Sequence, residues 1–440
     1  MQSANGLSLN AFLFYIKLHL LYLFAQFPLG IMKSKTHLLL QYTTAGLLSW
    51  IISSSATAAP LVSIGDNTDI FFNGSSSLRW SSNIFSDAGN EESDVSWTVS
   101  PGFEINVGRG VSNADLTVIT RYDVVKYQDN DQLDTELFHL EALGSYETGR
   151  LELSSSFSFG EYKLNSGDRN VVADLVEFDD TKGDLEAEYQ FSQKFSFSAG
   201  LVYTDREFQT YQDIFSNRET TRFPLNVYYE LTPKLDLSLG YDYSKTDIEG
   251  GNSFGGLYDP VAGYEQDSDF FNIGLRGNIG TKLTGFFKIG YRDVNADNTN
   301  LTTNGGVFDS SIERSDRNML GLDASLTWMV SSKLSYQLAL SRDYDTGALG
   351  QSREVSSAKL TGNYTIDSQW TAMANLGYSD RDSTYIGRQE EQLSGGLRFM
   401  YSLNEYWRFS AGYSYYENDS NQASRSYENE ILDLTAILRY

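Results

Sequence analysis

The chain of 440 residues contains no cysteine, which excludes disulfides, zinc–thiolate sites and thiol catalysis. Histidine is almost as scarce, with three copies, and His19 and His37 lie in or before an N-terminal targeting segment. His139 is therefore the histidine left for chemistry in the rest of the chain. Proline is also rare, with six copies, whereas 29 tyrosines and 26 phenylalanines favour β-strands from whose interiors proline is kept out.

Long apolar runs are missing after residue 58, and the mean hydropathy of the chain is −0.35. This excludes a bundle of transmembrane helices, which needs several apolar stretches of about 20 residues. A β-barrel stays possible, because only alternate residues of its strands face lipid. Basic residues are few, 33 against 58 acidic ones, for a net charge of −25. Nucleic acid is therefore not expected as a partner, since its phosphates require a basic surface.

The N-terminal region has the order of a secretory signal peptide. The basic stretch Met32-Lys33-Ser34-Lys35 precedes a mostly apolar run from Leu38 to Ile52, and Ala56-Thr57-Ala58 offers a small-x-small cleavage site before Ala59. We predict a targeting region over residues 1–58, with translation starting at Met32, a linker over 59–67 and one barrel domain over 68–440. The alternative is a membrane anchor formed by the apolar residues 11–29.

From residue 68 onward a hairpin unit recurs, with two strands of alternating polarity, a short polar turn and a longer polar loop. Six of the short turns align, at residues 191–195, 231–235, 279–283, 330–334, 366–370 and 403–407. The repeat predicts an all-β fold, a transmembrane antiparallel up-and-down β-barrel of about 18 strands, each of about 9–14 residues. Short turns are expected on the periplasmic side and longer loops, such as 245–268 and 293–316, on the extracellular side.

The alternation also assigns each residue to a face of the barrel wall. Leu237 and Leu322 are predicted to face lipid, whereas Ser238 and Ser325 are predicted to face the lumen and to tolerate arginine. The predicted outer aromatic girdle comprises Tyr203, Tyr241, Tyr291, Tyr378 and Tyr413, and the inner one comprises Trp328, Trp370, Tyr401 and Trp407.

The end of the chain separates this barrel from a soluble β-sandwich, which also alternates but leaves two sheet edges. In the last nine residues, every second position is leucine, alanine or tyrosine, and the last of them is aromatic. These positions are Leu432, Leu434, Ala436, Leu438 and Tyr440. This pattern resembles the signal read by the outer-membrane barrel assembly machinery, which we therefore expect as a partner.

The charged residues on the polar face of the strands change from mostly acidic to mostly basic along the chain. Predicted lumen-facing acids occur early, at Glu104, Asp115, Glu141, Glu152, Asp184, Glu186 and Glu188. Predicted lumen-facing bases occur later, at Arg276, Lys288, Arg292, Lys359, Arg398, Arg408 and Arg439. In a closed barrel these two sets form an acidic and a basic wall with a transverse field between them. The alternative is that the charges pair across the lumen and plug it.

No motif in the chain predicts catalysis, a cofactor or a metal ion. His139 and Glu141 share a face and could meet, but nothing supplies the nucleophile and orienting group of a hydrolase. Residues 293–298 begin like a calcium loop, yet Asn298 replaces its glycine and Asn304 its final glutamate. We therefore predict neither an enzyme nor a metal site.

The first hairpin carries a more specific resemblance. Its loop reads Ser81-Ser82-Asn83-Ile84-Phe85, and Ser93-Asp94 and Ser100-Pro101-Gly102 follow. These motifs, with later strands such as Leu239-Gly240-Tyr241 and Leu376-Gly377-Tyr378, resemble the putative beta-barrel porin 2 family over about residues 65–440. The resemblance implies an outer-membrane barrel linked to polysaccharide export.

We accordingly expect a porin-like barrel in the outer membrane of a Gram-negative bacterium, passing solutes or exopolysaccharide. The alternative is a structural or adhesive surface barrel whose acidic extracellular loops bind a partner. Expected partners are outer-membrane lipid and lipopolysaccharide, the assembly machinery, and polysaccharide or components of an export system.

Overall fold

A computed structural model describes residues 59–108, 112–165, 173–249, 263–297, 299–302, 309–312, 316–383 and 387–440. The targeting region predicted over residues 1–58 lies outside the described residues and stays a prediction. Two single-turn 3-10 helices, Asp131–Leu133 and Ala423–Arg425, lie in loops. Within the described ranges, no helix has the length and apolar character needed to cross a membrane.

The described residues form twenty-one strands. They are β1 (Val62–Ile64), β2 (Thr68–Ser81), β3 (Asp94–Val107), β4 (Ala114–Tyr127), β5 (Thr135–Glu147), β6 (Leu151–Leu164), β7 (Val176–Gln190), β8 (Phe195–Phe208), β9 (Arg218–Thr232), β10 (Leu235–Ile248), β11 (Tyr264–Ile279), β12 (Leu283–Ala296), β13 (Thr299–Thr302), β14 (Asp309–Ile312), β15 (Arg317–Met329), β16 (Leu334–Thr346), β17 (Ser352–Thr365), β18 (Trp370–Ser383), β19 (Arg388–Ser402), β20 (Trp407–Ser420) and β21 (Tyr427–Arg439).

Eighteen of these strands, β2–β12 and β15–β21, close into one barrel. Each pairs antiparallel with its neighbours along the chain, and β21 returns to pair with β2 from Asn73↔Arg439 to Ser81↔Ile431. The predicted up-and-down barrel of 18 strands is therefore confirmed. Outside the wall, β13 and β14 form a hairpin in one loop, and β1 pairs with the start of β2, within the segment predicted as a linker.

Alternating polarity explains why the sheet closes. Large apolar side chains lie on the outer face, where Leu320 is 57% exposed and Leu434 is 60% exposed to the surroundings. The intervening positions point inward and are mostly polar. An outward apolar band with a polar lumen is the arrangement that lipid requires, because closure leaves no unpaired strand edge in the hydrocarbon.

The strands are longer and the loops shorter than the composition suggested. Barrel strands run from 13 residues in β5 to 16 in β11, so the predicted loop 245–268 contributes ladder pairs down to Ile248↔Tyr264. The polar composition of residues 245–248 and 264–268 is typical of a loop. They stay in the sheet because backbone pairing does not depend on side-chain polarity once the strands leave the hydrocarbon.

Two prolines lie inside strands, contrary to the expectation that strand interiors exclude them. Pro101 is in β3 and Pro224 is in β9. The ladder with one neighbour is interrupted beside each of them, between Val99 and Gly102 toward β4 and between Ala199 and Val202 of β8. Proline has no backbone N–H to donate, so the sheet accepts it only where pairing on one side is given up.

Candidate functional site: the barrel lumen

The lumen is the candidate site, and the structure places all the predicted wall residues on its side of the strands. Along β3, Trp97, Phe103 and Ile105 point outward. Glu104 has the opposite parity, so it points inward, where it is 6% exposed. On β21, Leu432 and Leu434 point outward and Arg439 inward. The register of these two strands thus places Glu104 and Arg439 on the inner face.

Members of the acidic set contact members of the basic set. Arg439 donates from Nε to Glu104 Oε2 at 3.1 Å and from Nη2 to Oε1 at 2.8 Å. Arg276 on β11 binds Glu188 on β7 through two hydrogen bonds of 2.6 Å, and it also binds Asp236 at 3.1 Å. Because β8, β9 and β10 lie between β7 and β11, the pair Arg276–Glu188 crosses part of the lumen.

Other predicted bases have carboxylates outside the predicted acidic set as partners. Arg398 on β19 binds Asp433 on β21 at 2.7 Å, and Arg292 on β12 binds Asp343 on β16 at 2.9 Å. Lys359 differs, because it is exposed and has no ion-pair partner among the described residues. Glu141 is likewise without an ion pair in that part of the chain. The division of the lumen into an acidic and a basic wall stays a prediction.

A recurrent unit in the lumen was missed by the sequence reasoning. In four places a guanidinium lies over an aromatic ring while a carboxylate binds it. Arg276 lies 3.3 Å from the ring centre of Tyr228, and the other three pairs are Arg439 with Phe71, Arg206 with Phe178 and Arg292 with Phe270. Cation–π contact with a carboxylate on the guanidinium fixes an otherwise flexible side chain. Aromatic residues on the polar face of a strand would have been the signal.

His139 does not form the pair with Glu141 that the sequence allowed. Its Nε2 lies 3.2 Å from Asp123 Oδ2, and its ring packs edge-on against Tyr162 at 5.3 Å. Arg121 contacts the other oxygen of Asp123 at 2.8 Å. The histidine is therefore part of a buried polar network in the wall, in which the Ser100 hydroxyl also bonds Asp123.

Ser238 and Ser325 face inward as predicted, but the expectation that they accept arginine is wrong. Ser238 is 1% exposed and Ser325 is 3% exposed, because neighbouring lumen side chains cover them. A longer side chain at either position has no open volume to enter. Alternation gives the face of a residue but not the packing above it.

The predicted assembly signal forms the seam of the barrel. Leu432, Leu434 and Tyr440 are 51%, 60% and 49% exposed on the outer surface. The backbone of Tyr440 accepts a hydrogen bond from Phe72 N at 2.6 Å and donates one to Phe72 O at 2.8 Å. Its ring packs against Tyr406 at 5.6 Å. Recognition of this strand by the assembly machinery stays a prediction.

The extracellular end of the lumen is partly covered by loops. The loop between β8 and β9 meets the loop between β16 and β17, where Ser216 N donates to Ala348 O at 2.9 Å. Beneath this contact Phe178, Phe208 and Phe215 pack with Ala348 in an apolar cluster. A second cluster joins Phe85, Leu133 and Leu175 from three other loop regions.

Electrostatics in the loops depend on specific hydrogen bonds. Tyr211 Oη donates to Asp174 Oδ2 at 2.5 Å, and this bond raises the pKa of Tyr211 to about 12. The backbone N–H of Tyr127 and the ammonium of Lys126 hold the pKa of Asp134 below its usual value. In the described ranges, no group of three or more histidine and acidic side chains is arranged to hold a metal ion.

Fold and lumen together define the class: the chain is an outer-membrane β-barrel of porin-like architecture. The model of the family described as putative beta-barrel porin 2 matches residues 257–440. The resemblance seen in the sequence is thereby confirmed for that part of the chain, which includes Leu376-Gly377-Tyr378. The motifs of the first hairpin lie outside the matched range.

Solved structures with similarity to the chain are also outer-membrane proteins. The FrpB iron transporter from Neisseria meningitidis is 12% identical with a TM-score of 0.41; the match covers 81% of this chain and 62% of FrpB. The ferric-catecholate import receptor Fiu from E. coli is 10% identical, with a TM-score of 0.45 and coverage of 86% and 82%. OpdK from Pseudomonas aeruginosa, solved with vanillate, is 9% identical, with a TM-score of 0.42 and coverage of 84% and 99%.

The chain thus spans less than two thirds of the length of FrpB. Similarities of this low order say nothing about what the present barrel carries. No curated protein sequence matches the chain.

Proposed function

We propose that the protein is a porin-like channel that lets hydrophilic solutes, exopolysaccharide among them, cross the outer membrane. The observation that supports this most is the inner surface of the wall, whose inward positions are mostly hydroxyl, amide and charged side chains, with aromatic rings beneath several arginines. A polar lumen solvates hydrophilic cargo and excludes lipid. Exopolysaccharide fits such a surface because sugar hydroxyls exchange hydrogen bonds with serine, asparagine and carboxylate side chains.

The arginines suit such a passage because most of them are held in place. Arg276 and Arg439 each have a carboxylate partner and an aromatic ring beneath the guanidinium. A fixed cation gives a solute a defined electrostatic environment, whereas a mobile one would fold onto the nearest acid. Charge selectivity then comes from the residues left without a fixed partner.

Planar-bilayer recording of the purified protein tests the proposal. We expect ion conductance, and we expect the change of Asp184, Glu186 and Glu188 together to serine to move the preference toward anions. The change removes three lumen-facing acids, and it also releases Arg276 from Glu188. An unchanged reversal potential in a salt gradient would show that these acids do not line the path. A purified barrel that never conducts would refute the proposed passage.

Acidic exopolysaccharide added to the same recording tests the cargo. If it enters the lumen, current should fall reversibly in the presence of the polymer, and a neutral polymer of equal size serves as the control. A knockout that secretes a normal amount of polysaccharide would remove the export role and leave small solutes as the cargo.

A second candidate function is a surface barrel that binds a partner through its acidic outer end. Beyond the aromatic girdle, the outward positions of the strands carry carboxylates, such as Asp267 and Asp269. Asp267 accepts a hydrogen bond from Tyr243 at 2.7 Å, and Asp269 accepts one from Tyr241 at 2.6 Å. Lipopolysaccharide phosphates, bridged by divalent cations, are the chemistry that would meet this surface. Conductance separates the two functions, because a binding barrel needs no open path.

A further inference from the structure

In one sector of the wall, many inward side chains are almost completely buried. Along β11, Gln266, Ser268, Phe270 and Asn272 all face inward, and none is more than 7% exposed. Neighbouring strands show the same burial at inward positions, with Ser198, Asn226, Ser238, Asp242, Arg292 and Ser325 each at most 5% exposed. We call the inner side of β8–β12 and β15 the packed sector. Lumen water does not reach these side chains.

Contacts at three heights cover the packed sector. At the extracellular end, the loops flanking it meet over its top through Ser216 and Ala348, and Tyr264 Oη donates to Gly350 O at 2.8 Å. These contacts tie β9 and β11 to the loop after β16. The described loops therefore cover part of the outer mouth above this sector.

Ion pairs cover the middle and the periplasmic end. Arg222 binds Asp242 at 2.6 Å and also interacts electrostatically with Asp343 of β16, which Arg292 binds. Since four strands lie between β9 and β16 in the sheet, this network runs across the lumen. Nearer the periplasm, Arg276 reaches from β11 to β7. Charges that are paired and desolvated in this way form a packed layer and do not act as charges exposed to lumen water.

The opposite side of the lumen is accessible at more of its inward positions, although Ser96, Ser100 and Glu104 on β3 and His139 on β5 are buried there. We call the inner side of β17–β21 and β2–β7 the open sector. Arg79 and Lys359 face inward there and are exposed, and Ser154 and Ser394 at inward positions are half-buried. Glu141 lies at the middle of β5 and Lys359 at the middle of β17, so an acid and a base occupy opposite parts of this sector.

We propose that solutes pass only through the open sector, and that Glu141 and Lys359 set charge selectivity in it together with the half-buried acids Asp184 and Glu186 of β7. The inference rests on the proposed channel function and adds the course of the path. The arginines of the packed sector are paired with carboxylates, and Lys288 is half-buried there and donates to Asn226, so we expect a passing ion to be shielded from these charges. The transverse field predicted for the whole barrel is thus confined to the open sector.

Single cysteines test the course of the path, because the natural chain has none. The change of Ser to Cys is nearly isosteric, so Ser154→Cys and Ser394→Cys in the open sector are matched by Ser238→Cys and Ser325→Cys in the packed sector. Full-length variants in outer membranes are exposed to a charged, membrane-impermeant methanethiosulfonate, and labelling is followed by intact mass. Heat-modifiable mobility on gels shows that each variant is folded.

We expect labelling of the packed pair to be slower by about tenfold or more, since a buried thiol reacts only after local opening. Equal rates for the two pairs would overturn the proposal. Labelling does not require conduction, so this result is independent of whether the channel function holds. A barrel that fails to conduct would count against the function alone.

A second measurement addresses selectivity. Lys359→Ser should raise the preference for cations, by about twofold in the permeability ratio for a charge lining the path. Lys288→Ser, the matched change in the packed sector, should leave the ratio unchanged, because that ammonium donates to the amide oxygen of the buried Asn226 at 3.2 Å. The proposal fails if Lys288→Ser shifts the ratio as much as Lys359→Ser does.

Discussion

Arg439, one residue before the chain end, should contribute strongly to barrel stability through Glu104. Glu104 is 6% exposed and accepts four hydrogen bonds, two from Arg439 and one each from Asn73 at 3.0 Å and Asn106 at 2.7 Å. The pair connects β21 to β3 across β2, so it links strands on both sides of the place where the first and last barrel strands pair.

Replacing Arg439 with methionine keeps much of its contact with Phe71 but removes the charge. The two amides still donate to Glu104, yet the carboxylate is left buried without a counter-ion. Breaking a buried pair in this way costs about 3–5 kcal/mol, and we expect the lower end because the Arg439 side chain is 22% exposed. Adding Glu104→Gln removes the stranded charge and should restore about 2 kcal/mol of that loss.

Urea unfolding of barrels refolded in lipid vesicles, followed by tryptophan fluorescence and by gel mobility, measures these differences. Lys359→Met is the matched control, since it removes an exposed cation and should change the free energy of unfolding by no more than about 0.5 kcal/mol. The reasoning would be refuted if Arg439→Met were as stable as this control. Strict additivity of the Arg439 and Glu104 changes would refute it as well.

Three further predictions concern assembly, lipid contact and pH. Deleting Tyr440 or changing it to Asp should slow insertion and lower the amount of folded, heat-modifiable barrel in outer membranes; normal accumulation would contradict this. Leu322→Arg should cost about 2–4 kcal/mol of barrel stability because it places a cation in lipid, whereas Ser154→Arg in the open sector should cost little, and equal losses in urea unfolding would refute the face assignment. Because the pKa of Tyr211 is raised to about 12, the stability that its bond to Asp174 supplies is complete below the ordinary tyrosine pKa and is lost as the pH rises toward 12. Ultraviolet titration of the native protein against Tyr211→Phe tests this, and a titration of Tyr211 at the ordinary tyrosine pKa would disprove it.

The sequence determined the course of the chain through the membrane. Alternation between apolar and polar residues identified the inward positions of Glu104 and Arg439 and the outward positions of Leu322 and Leu434, because successive side chains of a strand point to opposite faces. Short polar turns at regular spacing counted the strands. These are local properties, so no knowledge of distant contacts was needed.

Only the tertiary structure decided which inward side chains meet. Glu188 binds Arg276 four strands away, and His139 binds Asp123 rather than Glu141, although all of them share the inner face. Contacts across a lumen depend on how far the wall curves and which loops cover it, and these follow from closure of all eighteen strands. Period-2 alternation carries no information about that distance. For the same reason it placed Ser238 on the inner face correctly but could not show that the surface above it is filled.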